Sequence, residues 1–156
     1  MSTLAPARTC CHTTFQVCTA SATEFVDITE PLVTFTRMSG FVVGTVNIQT
    51  AHTTTGLIVN EHEALLLQDF EALLGRLVPR EHTYAHDDMT RRAGVDASEP
   101  LNGHAHCRAL MLPASVVLNI VNGRLALGKW QRVFLAELDG PRERILTVVA
   151  HGVPAL

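Results

Sequence analysis

Charge is scarce in this chain. Only 17% of its 156 residues are Asp, Glu, Lys or Arg, aromatic residues supply 5%, and Lys129 is the only lysine. With a net charge of −3 and no clustered Lys and Arg, nucleic acid is not an expected partner, because phosphate backbones are bound by concentrated positive charge. No apolar run approaches the roughly 18 residues of a membrane helix, so no membrane partner is expected. The opening MSTLAPARTCCHTTF has no apolar core of the kind a secretory signal carries, and the expectation is a cytoplasmic protein. Cys10, Cys11, Cys18 and Cys107 form no CxxC pair, and they read as reduced thiols.

Apolar residues, by contrast, are abundant. At 47% hydrophobic the chain is richer in them than an average soluble domain, which points to surface hidden by partner subunits. Its length suits one domain over residues 1–156, with residues 1–9 a flexible terminus. A domain of this size buries roughly 68–70% of its unfolded surface, so it needs neither disulfides nor a structural metal to fold.

Phe15 and Val17 alternate with polar neighbours as in a half-buried strand, and Phe25 to Ile28 is a short apolar piece. Thr29 is placed to cap a helix with Pro31 in its first turn and Gly40 at its end. Two strands, Phe41 to Gln49 and Leu57 to Asn60, flank the polar AHTTTG. Leu66, Phe70, Leu73, Leu74 and Leu77 form one helical face, closed by Pro79. The polar stretch from Arg80 to Gly103 reads as a long loop, and loops of that length are usually functional or disordered.

Asn102 can cap a short helix through Met111. On such a helix His106 faces inward while His104 shares the outer face with Arg108; on a strand the two histidines lie side by side and the preference vanishes. The last third reads as a β-meander of Ser115 to Val121, an Asn122-Gly123 turn, Leu125 to Leu138, and Ile145 to Ala150.

His52, His86 and His106 stand beside polar residues and can meet in one cleft, where neutral imidazoles would ligate a zinc-like metal; hydrogen-bonding loop and core histidines would look the same. Glu61, Asp87 and Asp88 are oxygen donors suited to Mg²⁺, or simply solvated carboxylates. Thr53, Thr54, Thr55 and Gly56 in HTTTG offer three hydroxyls and backbone N–H groups able to cradle an anion, as would any Thr-rich strand end. Trp130 and Gln131 lie on an expected strand, where the first would normally be core and the second exposed.

Taken together, FVDIT (25–29), HTTTGLIVNE (52–61), LLQDFEALLGRLVP (66–79), YAHDDMTRR (84–92), NGHAHCRALMLPAS (102–115) and NGRLALGKWQRVFLAELDGPR (122–142) resemble, in order and spacing, the secondary thiamine-phosphate synthase family, also called YjbQ-like. The resemblance implies an α+β fold, mainly an antiparallel β-sandwich with packed helices, assembled as a homotrimer with its site near subunit interfaces. It places the family's polar signature on His52, Thr53, Asn60, Glu61, His86, Asp87, His106, Trp130 and Gln131. Two positions depart from it: Lys129 stands where Thr is usual before Trp130, and Pro113 where Gly is common.

The activity implied is a transferase that joins a pyrimidine-methyl diphosphate to a thiazole phosphate. In that reading Mg²⁺ or another divalent ion, held by Asp87, Glu61 and the histidines, neutralises the diphosphate. His86 and His106 serve as ligands or proton donors, Asn60 and Gln131 orient substrate, and Trp130 stacks on a ring. Two other classes stay open: a hydrolase with a zinc-type site and Glu61 as base, and a non-catalytic module that binds a small anion or phosphorylated metabolite.

Overall fold

The computed structural model describes residues 9–94, 96 and 98–155. The flexible terminus expected over 1–9 therefore lies, save for Thr9, outside the described residues. Thr9 itself accepts a backbone hydrogen bond from Gly152.

In chain order the elements are β1 (Cys10–Cys18), β2 (Glu24–Asp27), α1 (Thr29–Ser39), β3 (Phe41–Thr50), β4 (Thr55–Glu61), α2 (Ala64–Leu77), α3 (Gly103–Ala109), β5 (Ser115–Val121), β6 (Arg124–Leu125), β7 (Gln131–Glu137) and β8 (Glu143–Pro154). Two single 3₁₀ turns, Ala85–Asp87 and Met89–Arg91, precede α3, so the expected long loop is structured in its first half. The strands form a five-stranded sheet ordered β1-β8-β3-β5-β6 and a three-stranded sheet ordered β2-β7-β4, with every pairing antiparallel.

Alternation of side chains builds the core between the sheets. Val46 and Ile48 of β3, Leu118 and Ile120 of β5, and Leu146 and Val148 of β8 face Leu57 of β4 and Val133 and Leu135 of β7. Each such buried aliphatic contributes about 1.5–3 kcal/mol relative to exposure. Helix α1 adds Leu32 to this core and contacts strands of both sheets.

The small sheet is covered on its outer face as well, which explains why Val133 to Glu137 are all buried. Phe25 meets Phe70 of α2 edge to face at 5.6 Å, and Leu74, Ala105 and Leu138 cluster beneath α2 and α3. Leu112 presses so closely on β4 that a Cβ at Gly56 would stand 2.5 Å from the leucine Cβ. Among the described residues the large sheet's outer face has no such cover. Val43, Val117, Val121, Ile145 and Val153 are exposed there, and between Arg124 and Glu143 at its corners the alternating positions carry no Asp, Glu, Lys or Arg.

Four expectations need correction. Thr29 does not cap α1: Asp27 accepts its N–H at 2.8 Å, while its own hydroxyl accepts the N–H of Val133 across the fold. Asn102 occupies the position before α3 but makes no side-chain cap, its amide turning instead to Asp139. The meander breaks after the β5–β6 hairpin: β7 crosses to the small sheet, and β8 returns to lie between β1 and β3. A continuous strand over 125–138 could not line both sheets, so the chain leaves strand conformation between Leu125 and Gln131. Finally, His104 is buried with Arg108, at 3% and 6% exposure, and His106 is the more open of the two histidines. Tertiary cover from the 3₁₀ segment reverses the helix-face argument.

Candidate functional site

The turn between β3 and β4 is clamped from beneath. Thr50 and Thr55 share a hydroxyl hydrogen bond of 2.6 Å, the His52 N–H donates to Thr50 Oγ1, and Thr55 Oγ1 donates to the His52 carbonyl. Thr54 is buried, and its hydroxyl accepts from Arg144 Nη2 at 3.0 Å. Arg144 in turn donates twice to Glu137, each time at 2.6 Å. That carboxylate is fully buried and accepts three more bonds, from Thr19 Oγ1 and the N–H groups of Leu138 and Asp139. Burial would raise the Glu137 carboxyl, but the Arg144 hydrogen bonds and charge outweigh it and hold the group below its usual range.

His52 and Thr53 are left facing outward by this clamp. His52 Nε2 accepts the N–H of Ile145 at 3.0 Å, which places the proton of the neutral ring on Nδ1. Burial, reinforced by Arg144, lowers the His52 pKa. His52, Thr53 and His106 line one cavity of about 360 Å³, together with Thr50, Ala109 and Leu112.

His86 and His106 are brought together by the meeting of a 3₁₀ turn with α3. Their rings lie edge to face with centroids 4.7 Å apart. Burial and the His86 charge both lower the His106 pKa. Asp87 accepts the Gly103 N–H at 2.8 Å and so ties the turn to the start of α3. Gly103 is required there because a Cβ would stand 2.5 Å from that of Tyr84. Asn102 donates to Asp139 Oδ2, which also accepts from Arg142. Asp87 and Asn102 thus hold the scaffold on which the histidines sit.

The other signature residues stand elsewhere. Glu61 pairs with Gln131 at the far end of the β4–β7 ladder, beside Trp130, which is 61% exposed under the Lys129 ammonium at 4.5 Å. Asn60 Oδ1 accepts the N–H of Glu61, and Gln131 Oε1 that of Gly128. Between Thr55 and Glu61 lie six residue steps of β4, about 20 Å at strand rise. Near this second group Asp27 accepts from Arg132 at 2.7 Å and contacts His62 Nδ1 at 3.1 Å. Asp88 closes the His86 turn through its N–H to the Ala85 carbonyl and spends its carboxylate on the N–H and hydroxyl of Thr90.

Among the described residues no set of three or more His, Cys, Asp or Glu converges on one point. His52, His86 and His106, expected to meet as ligands, therefore form no three-ligand centre within one chain among the described residues. An apolar groove of about 400 Å³ between α2 and β4 is more enclosed by carbon, with Asn60 at its border, but no titratable side chain lines it.

The model of the UPF0047 protein YjbQ-like family matches residues 13–153. The chain belongs to the YjbQ-like UPF0047 family. Its relatives include a UPF0047 protein of Archaeoglobus fulgidus, 38% identical over 132 residues that cover 85% of this chain and 94% of that one. Another, from Methanothermobacter thermautotrophicus, is 35% identical over 136 residues, covering 87% and 88%. The crystal structure of a YbjQ-like protein of unknown function from Sulfolobus solfataricus superposes with a TM-score of 0.84 at 33% identity, covering 92% of this chain and 98% of that one. A hypothetical protein of Aeropyrum pernix gives 0.81 at 30% identity, covering 91% and 98%. The mixed α+β architecture, with mostly antiparallel sheets and three helices, is thus that of the YjbQ-like family.

Sequence reasoning missed Glu137 and Arg144, which hold the His52 turn. The available signal was a glutamate inside FLAEL, at a position where alternation and hydropathy both demand burial.

Proposed function

We propose that this protein is a cytoplasmic group-transfer enzyme acting on a small phosphorylated molecule, of the thiamine-phosphate synthase type its sequence resembles, and that it works as a homotrimer. The observation that carries the reading is the placement of His106 between the His52–Thr53 cavity and the ring of His86. At neutral pH the depressed pKa values keep His52 and His106 neutral; His52 Nε2 is already engaged by the Ile145 N–H, which leaves His106 as the ring to accept a proton. A diphosphate entering the cavity favours the imidazolium, so binding draws in a proton that His106 can return to the departing pyrophosphate oxygen. As the carbon–oxygen bond to pyrophosphate breaks, the pyrimidine-methyl carbon becomes cationic and the thiazole nitrogen bonds to it. Thr53 offers its exposed hydroxyl to the anion.

Asn60, Glu61, Trp130 and Gln131 cannot reach this cavity from within their own chain. A homotrimer gives them a use, as the wall that a neighbouring copy supplies. The exposed Val43, Val117, Val121, Ile145 and Val153 on the outer face of the five-stranded sheet support such self-association, since contiguous exposed apolar surface marks interaction sites. A divalent ion between copies would add charge neutralisation at the diphosphate.

The test is formation of thiamine phosphate from the two heterocycles with Mg²⁺, using wild type, His86→Ala and His106→Ala from identical preparations, with mass in solution measured by light scattering. We expect a trimeric mass throughout and product from the wild type alone. Equal turnover in all three overturns the histidine roles. Phosphate binding without turnover returns the site to a passive anion cradle.

A further inference from the structure

Arg108 and Arg144 are buried almost equally, at 6% and 5% exposure, but they are treated differently by the fold. Arg144 has a buried carboxylate for a partner; Arg108 has only neutral ones. Its Nε donates to the Val78 carbonyl at 3.0 Å and its Nη1 to Thr23 Oγ1 at 3.2 Å. Among the described residues it forms no ion pair. A guanidinium carries five N–H donors, and withdrawing one from water without a counter-charge is costly. Burial accordingly pushes the Arg108 pKa down.

Arg108 borders a cleft of about 410 Å³ between the β1–β2 loop and the C-terminal half of α2, lined also by Ser21, Thr23, Glu71, Arg80 and Glu81. Two cations and two carboxylates thus surround one space, and none of the four is ion-paired among the described residues. Like charges alone would have suggested a simple ion. With both signs lining the cleft, a multiply charged anion such as phosphate is repelled by Glu71 and Glu81, and a cation by Arg80 and Arg108. A ligand that carries one of each satisfies both poles.

We propose that this cleft, separate from the histidine cavity, binds a small amino-carboxylate zwitterion, a free amino acid in class. Arg108 and Arg80 receive the carboxylate, with the Thr23 and Ser21 hydroxyls beside it, and Glu71 and Glu81 receive the ammonium group. The planar fork of Arg108, held by Val78 and Thr23, is preorganised for two-pronged binding of a carboxylate.

The experiment is titration of the isotopically labelled full chain with each standard L-amino acid singly, and with acetate, methylammonium and inorganic phosphate, read from backbone amide NMR shifts. At least one amino acid should saturate shifts at Ser21 to Thr23, Gly75 and Arg108, with acetate and methylammonium weaker by about tenfold or more. Arg108→Lys keeps the charge without the fork and should weaken binding by about tenfold. Glu71→Gln, at an exposed position that cannot upset the core, should weaken it severalfold. Saturation by phosphate as tight as by any amino acid, no saturable shift at these residues, or unchanged affinity in both variants overturns the proposal. His52→Ala should leave this binding intact, which separates its outcome from that of the histidine cavity.

Discussion

At the Thr55 end of β4 the polar side chains are buried and interlocked, Thr54 to Arg144 to Glu137 to Thr19, whereas at the Glu61 end similar side chains stand in solvent along a ladder of Glu61 with Gln131 and Asn60 with Arg132. The first end is complete by itself: each acceptor of Glu137 is used, and the histidine turn above it is held in one position. The second end has its own ion pairs, Asp27 with Arg132 and Arg132 with Glu30, but Trp130 lies open above them. One chain therefore builds a finished cavity at one end of a strand and an unfinished surface at the other. A buried network specifies geometry because leaving any member unpaired is costly, while an exposed cluster acquires definite geometry only when something covers it.

The largest effect that would break this contrast is loss of Arg144. In Arg144→Leu the Glu137 carboxylate stays buried without its partner, and the expected cost is about 3–5 kcal/mol, read as a fall in the urea midpoint. A loss no greater than that of a surface substitution would mean the network does not hold the histidine turn.

A second effect sharpens it through pH. Glu137 has a folded pKa below its unfolded value, so its contribution is present above that unfolded value, near 4.5, and is lost as pH falls through the folded one. His52, His104 and His106 are also lowered from 6.5, which means the unfolded chain takes up protons first as pH falls. Denaturation midpoints should be level above pH 6.5, decline below it, and decline again below about pH 4.5. A midpoint that rises on acidification from pH 7 to 6 would contradict the sign.

The smallest effect belongs to the open end. Asp27→Asn removes one partner of a part-exposed ion pair and should cost under about 1 kcal/mol in the same urea measurement. Burial raises the Asp27 carboxyl, but hydrogen bonds from Thr29 and Arg132 outweigh it and keep it low. A cost matching that of Arg144→Leu would show that the two ends are equally built.

Much of this fold can be read in the chain. Gly40 ends α1 with a left-handed φ of 71°, and Asn122 and Gly123, at 51° and 72°, make the hairpin turn that their dipeptide announces. Glu63 accepts the Leu65 and Leu66 N–H groups to start α2, three residues before the apolar face begins at Leu66. Local chemistry decides such features, so local sequence reveals them. The α2 face itself is less well matched: Leu74 is buried, but Leu73 and Leu77 remain 44% and 61% exposed. Periodicity says which side of a helix is apolar, not whether its neighbour extends far enough to cover it.

The candidate site divides in the same way. His52, Thr53, His86 and His106 are recognisable by type and setting, and the structure brings them to one region. That Asn60, Glu61, Trp130 and Gln131 lie some six strand residues away could not be read, because nearness along the sequence to His52 says nothing of direction along β4. Nor could the inversion of His104 and His106, which depends on Tyr84 covering one side of a short helix.

By itself the sequence determined the family, the strand and helix segments with their turn residues, and the kinds of side chain available for chemistry. Those follow from backbone preference and side-chain periodicity, which act over a few residues. Only the tertiary structure decided that β7 leaves one sheet for the other, that Glu137 and Arg144 meet beneath the histidine turn, and that Arg108 is buried on neutral hydrogen-bond partners. These outcomes depend on segments far apart in the chain competing for the same buried space, where the cost of an unpaired charge is set by neighbours that no local window contains.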